Sequence, residues 1–104
     1  MGVPMTEVTD DAAGSRLVVA AEGGAEAELI YRREGDLLYL VHTEVPAAFR
    51  GQGTGGHLVT AAIDLARRDG LTVVPWCPFA RRWLREHPDA VAGVAIDWSI
   101  PPPG

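Results

Sequence analysis

The sequence predicts an α/β fold of the α+β kind, and three observations carry that prediction. Three consecutive strand-type runs are joined by tight turns, which makes an antiparallel meander and not a series of βαβ units. A glycine-rich loop follows. The hydrophobic period then changes from two to helical spacing over Thr54–Asp69.

Each element has its own signal. Residues 1–5 read as a loose end and Thr6–Asp10 as a short edge strand. Asp10-Asp11-Ala12-Ala13-Gly14-Ser15 is turn-like in composition. Arg16–Glu22 is rich in Val and Leu and reads as a strand; Gly23-Gly24 is a tight-turn signal, with Ala25–Arg33 as the hairpin partner. In that partner Ala25, Ala27, Leu29 and Tyr31 alternate with Glu26, Glu28, Ile30 and Arg32, so one face is mostly polar. Glu34-Gly35-Asp36 makes the next turn, and Leu37–Val45 is the strongest strand, closed by Pro46.

In the helical stretch, Leu58, Val59, Ala62, Ile63, Leu65 and Ala66 form one buried face. His57, Thr60, Asp64, Arg67 and Arg68 fall mainly on the other side, and Gly70 marks the stop. Leu71–Pro75 is a short buried strand. Pro78–Glu86 is a second helix, with Pro78 suited to its first position and Phe79 and Trp83 on one face. Residues 91–98 are compatible with either a helix or a strand. One domain over residues 1–98 and a flexible proline-rich tail over 99–104 complete the expectation.

Composition excludes several functions. The chain has 104 residues, room for one domain, and a net charge of −5. With that negative net charge, nine arginines and no lysine, the basic field that nucleic-acid binding needs is absent. The clusters Arg67-Arg68 and Arg81-Arg82-Arg85 read as solvated helix faces, or as local contacts to an anion. One cysteine, Cys77, leaves no internal disulfide and no thiolate cage, and the three histidines lack metal-ligand spacing. No apolar run is long enough to span a membrane and no signal-peptide core is present, so a cytoplasmic protein is expected. Met1-Gly2-Val3-Pro4-Met5-Thr6 matches the loose N-myristoylation pattern, a string short enough to recur by chance.

The informative stretch is Arg50-Gly51-Gln52-Gly53-Thr54-Gly55-Gly56, between a strand and a helix. Glycines cost backbone entropy, and so many together need a reason. Closely spaced N–H groups at a helix N-terminus hold phosphate, and glycine lets an anion come close. A P-loop requires a lysine, which the chain lacks. A dinucleotide fingerprint requires a first βαβ unit with an acidic residue at the end of the next strand, and neither is present. A glycine-rich turn with no ligand is the remaining bland alternative.

Arg50-x-x-Gly53-x-Gly55 resembles the acetyl-CoA pyrophosphate signature of the GNAT superfamily of N-acetyltransferases, [Arg/Gln]-x-x-Gly-x-[Gly/Ala]. The strings His42-Thr43-Glu44-Val45-Pro46, Val74-Pro75-Trp76-Cys77-Pro78-Phe79 and His87-Pro88, in order around that loop, resemble a subgroup of very short GNAT proteins. The resemblance spans about residues 16–90. It implies a mixed, mostly antiparallel sheet whose fourth and fifth strands splay apart to admit acetyl-CoA, the co-substrate. Backbone of Glu44 and Val45 would face it, Arg50 through Gly56 would hold its pyrophosphate, and Cys77 and Phe79 would lie beside it. The implied activity is acetyl transfer to a primary amine on a small molecule or peptide. Larger members carry two N-terminal helices and a tyrosine after the fifth strand. The turns before Leu37 are too short for the helices, and the last tyrosine is Tyr39. A CoA-binding module without catalysis is therefore the alternative function.

Acetyl transfer needs a proton acceptor for the ammonium and a stabiliser for the leaving thiolate. Strict alternation puts Leu38, Leu40, His42 and Glu44 on one face of their strand, making His42 and Glu44 a candidate base pair. A hydrogen-bonded core histidine and a surface carboxylate are the alternative. Cys77, at a helix start, could be a nucleophile, an acid for the thiolate, or a small buried residue. Phe79, Trp76 and Trp83 also suit the core, and His87 suits a helix cap.

Overall fold

A computed structural model describes residues 8–103; the expectations for residues 1–7 and Gly104 lie outside it. Five strands form one sheet in sequence order: β1 (Thr9–Asp11), β2 (Arg16–Ala20), β3 (Glu26–Glu34), β4 (Leu37–Glu44) and β5 (Thr72–Pro75). The first four are antiparallel; β5 runs parallel to β4, which is the mixed sheet expected. A parallel neighbour requires a crossover, and α1 (Thr54–Asp69) supplies it. Helix α2 (Pro78–Glu86) follows β5.

Both helices cover the same side of the sheet. Leu17, Val19, Ala27, Leu29, Leu38 and Leu40 meet Leu58, Ile63, Ala80 and Leu84 in one core. Each fully buried leucine there contributes about 2 kcal/mol by leaving water. Helix α1 begins and ends where the apolar period does, and Gly70 closes it in the left-handed conformation, as expected. The stretch 91–98 is neither helix nor strand. A 3-10 turn, Pro88–Val91, precedes a single bridge from Ile96 to Val73, which covers the free edge of β5. Ile100 is held as well, its carbonyl accepting the Trp76 indole N–H at 3.1 Å.

Strict alternation fails once, and the failure matters. Tyr31 pairs with Leu40 and Ile30 with His42, so Val41 is an extra residue on β4. Such a bulge reverses which residues point to which face beyond it. Thr43, paired with Leu29, therefore joins the helix-covered face with Leu38 and Leu40. His42 and Glu44 lie on the opposite face with Ile30 and Glu28, which corrects the expectation that they share a face with Leu38 and Leu40.

Tyr31 gives a pH test of the sheet. Its ring is buried and its hydroxyl donates to Asp10 Oδ1 at 2.6 Å. Burial first, then the Asp10 carboxylate, push the phenol up to about 12 from an ordinary value of 10.0. A raised folded-state pKa stabilises below the unfolded value and is lost as pH climbs through the folded one. We expect the melting temperature to drop between pH 10 and 12, by the equivalent of roughly 2 kcal/mol. Tyr31→Phe should remove that drop in a melting series; an unchanged drop would refute the assignment.

Candidate functional site

The parallel β4–β5 ladder ends at the pair Leu40–Pro75. Pro75 has no N–H for a further rung. The next two N–H groups, of Trp76 and Cys77, both turn back to the Leu40 carbonyl at 3.0 and 2.9 Å. β4 continues through Val41–Glu44 paired with β3 only, so β4 and β5 part at this point. Across the gap the Thr43 hydroxyl and the Cys77 thiol meet at 3.3 Å, and Cys77 is buried.

A cleft of about 470 Å³ opens beside the gap, on the helix-covered side. Thr43 near the end of β4 and Val45 just beyond it, Arg50 and Gly51 from the loop, the first turn of α1, and Phe79 and Trp83 from α2 line it. The loop glycines prove to be there for two separate reasons. Gly51 and Gly53 have φ of 79° and 68°, a region costly for side-chain-bearing residues, and an added Cβ would meet nothing within 4 Å. Gly55 and Gly56 are small because α2 packs on them. A Cβ would lie 2.6 Å from Phe79 Cζ and 2.6 Å from Trp83 Nε1, respectively.

The floor of the cleft is a set of unpaired donors. The first intrahelical bond of α1 runs from the His57 N–H to the Gly53 carbonyl at 3.1 Å. The N–H groups of Thr54, Gly55 and Gly56 precede it and have no acceptor in the helix. Gly53 offers no capping side chain, and the first turn holds no acidic residue. The Thr54 hydroxyl is buried without a partner among the described residues. An unpartnered buried hydroxyl costs about 1–3 kcal/mol. Arg50 lies at the rim and makes no ion pair among the described residues. Donors, a helix dipole and a free guanidinium converging on one cleft suit an anion, and the residues present fit a pyrophosphate.

The sequence-derived residues fall into three places. Arg50, Gly51, Gly53, Thr54, Gly55, Gly56, Val45 and Phe79 line the cleft, whereas the Gln52 side chain turns back to the Ala48 carbonyl at 3.4 Å. Cys77 is buried in the gap against Thr43. His42 and Glu44 stand on the other face, Nε2 to Oε1 3.0 Å, with 56% and 63% of their side chains exposed. Thr43, Phe49 and Trp83 also line the cleft; the bulge that turns Thr43 inward had no sequence signal. His57, placed on the outer side of its helix by periodicity, is half-buried with Nδ1 unpartnered among the described residues. His87 does cap α2: Nδ1 lies 2.8 Å from the Trp83 carbonyl and its ring stacks on Trp83. Among the described residues no group of His, Cys, Asp or Glu could hold a metal, and no helix is long and apolar enough to cross a membrane.

A family model described as GCN5-related N-acetyl-transferase matches residues 16–94. Curated relatives named Protein NATD1 are similar over part of their length. The human protein is 36% identical over 63 residues, 60% of this chain and 56% of that protein. The Xenopus tropicalis protein is 38% identical over 63 residues, 60% of this chain and 58% of that protein. The chain thus spans a little over half the length of these relatives. A solution structure of a GCN5-like protein from Staphylococcus aureus shares the fold, with a TM-score of 0.67 at 23% identity over 93% of this chain and 96% of that one.

Proposed function

The chain belongs to the GCN5-related N-acetyl-transferase family, and from that premise we propose that it moves the acetyl group of acetyl-CoA to a primary amine. The family generally uses acetyl-CoA as co-substrate. The observation that carries the proposal here is the buried, unpartnered Thr54 hydroxyl beside three free N–H groups at the parting of β4 and β5. These donors and Arg50 would hold the pyrophosphate. Bound acetyl-CoA would supply the activated thioester.

The remaining roles fall to side chains around the gap. An amine must lose a proton before it attacks. His42, with Nε2–H donated to Glu44, leaves Nδ1 to take that proton, and the carboxylate steadies the imidazolium formed. Because His42 and Glu44 face away from the cleft, the amine approaches from the open side of the sheet. Cys77, the residue before α2, would return a proton to the departing thiolate, and Thr43 orients its thiol. Direct attack is the preferred mechanism, and an acetyl-Cys77 intermediate is second. The acceptor is a small amine or a peptide amine.

The exposure of His42 and Glu44 favours one other reading, a CoA-binding module without catalysis. Alanine at Cys77, His42 and Glu44 discriminates: acetyl-CoA binding with no loss of transfer in any variant supports the module.

Thr54→Val tests the cleft directly. It deletes an unpaired hydroxyl at nearly constant volume. We expect the unliganded protein to gain about 1 kcal/mol, while acetyl-CoA binding measured by calorimetry weakens about tenfold. Unchanged affinity would remove the hydroxyl from the site.

A further inference from the structure

The arginines of this chain divide by whether a carboxylate meets them. Arg16, Arg32, Arg33, Arg67 and Arg68 are each ion-paired. Among the described residues Arg50, Arg81, Arg82 and Arg85 are not, although acidic residues outnumber basic ones fourteen to nine. Arg50 lines the cleft, where an anion is expected. The other three stand together on α2.

They occupy the side of α2 that the cleft does not use. Phe79 and Trp83 face the cleft, and Ala80 and Leu84 enter the core. Arg81, Arg82 and Arg85, with Pro78 and Glu86, line a separate concavity of about 600 Å³. Trp98, 38% exposed, packs against two of these arginines, with the Arg85 and Arg81 guanidinium carbons 4.9 and 5.7 Å from its ring centre. The helix dipole accounts for Arg85 in the last turn and not for Arg81 or Arg82, which lie nearer the N-terminus.

Stacking on an aromatic ring orders a guanidinium while leaving its N–H edge free. Arg81 uses one N–H on the Pro75 carbonyl at 3.2 Å. Arg85 and Arg82 keep theirs. Arg85, ordered on an exposed tryptophan with Arg82 free beside it, matches carboxylates on a chain that also offers apolar surface. A long polyanion is disfavoured, because the molecule as a whole carries −5. We propose that this face of α2 docks a carboxylate-rich peptide segment of a partner protein, at a place distinct from the cleft.

The test is fluorescence anisotropy of a short labelled peptide, Glu-Glu-Leu-Phe-Glu-Glu, at low ionic strength. The wild type should bind, and Arg82→Ala/Arg85→Ala should weaken binding about tenfold. Arg67→Ala/Arg68→Ala removes the same charge from ion-paired positions and should change it less than about twofold. Equal losses in the two variants, or no binding by the wild type, overturn the proposal. So does displacement of the peptide by acetyl-CoA, which would merge the patch with the cleft. Tighter binding of a ten-nucleotide single strand would overturn it in favour of a nucleic-acid surface. Acetyl-CoA binding by the Arg82→Ala/Arg85→Ala variant should be unchanged.

Discussion

Gly53→Val should abolish measurable acetyl-CoA binding, a loss of at least about 100-fold. Two effects combine. Gly53 sits in the left-handed region at φ 68°, where a β-branched residue costs on the order of 2 kcal/mol or moves the loop. A side chain there also enters open space, with nothing within 4 Å of its Cβ, at the cleft where the proposed anion would approach the α1 N–H groups. Gly53→Asn separates the effects, since asparagine tolerates this backbone conformation. The asparagine variant should melt as the wild type does and still bind at least about tenfold more weakly, by obstruction alone. Calorimetry and thermal melts on the three proteins check this. Wild-type affinity in the asparagine variant would mean that the anion is held elsewhere.

The second large effect is on turnover. With acetyl-CoA and a responsive amine, His42→Ala should lower kcat about 100-fold, within the range that a positioned base contributes. Glu44→Gln keeps the shape but loses the charge that steadies the imidazolium, and should cost about tenfold. Both side chains are more than half exposed, so the stability of both variants should stay within about 0.5 kcal/mol of wild type. Full activity of His42→Ala would sink the proposed base. Full activity of both variants and of Cys77→Ala, with binding intact, would leave the non-catalytic module.

Much of the architecture was legible because it depends on local rules. Apolar spacing bounded α1, Pro78 opened α2, and tight turns made the meander. The glycine loop was legible as a place, and only partly as a reason. Its first two glycines carry the backbone conformation, whereas Gly55 and Gly56 yield room to Phe79 and Trp83. That second reason depends on a helix more than twenty positions away, which no local pattern encodes. The stretch over 96–100 behaves similarly: Ile96 and Ile100 are held by Val73 and Trp76, contacts without a periodic signature.

The sequence alone determined the order of elements, the anion-suited loop and the exclusion of lysine-dependent phosphate sites, because period, turn chemistry and composition act over a few neighbours. Tertiary structure alone decided which face each site residue occupies. A single extra residue, Val41, turns Thr43 toward Cys77 and the cleft and sends His42 and Glu44 to the far side. Side chains alternate along a strand, so one bulge reverses all that follow it. Whether a bulge forms is settled by the register with β3 and β5, not by the strand's own residues.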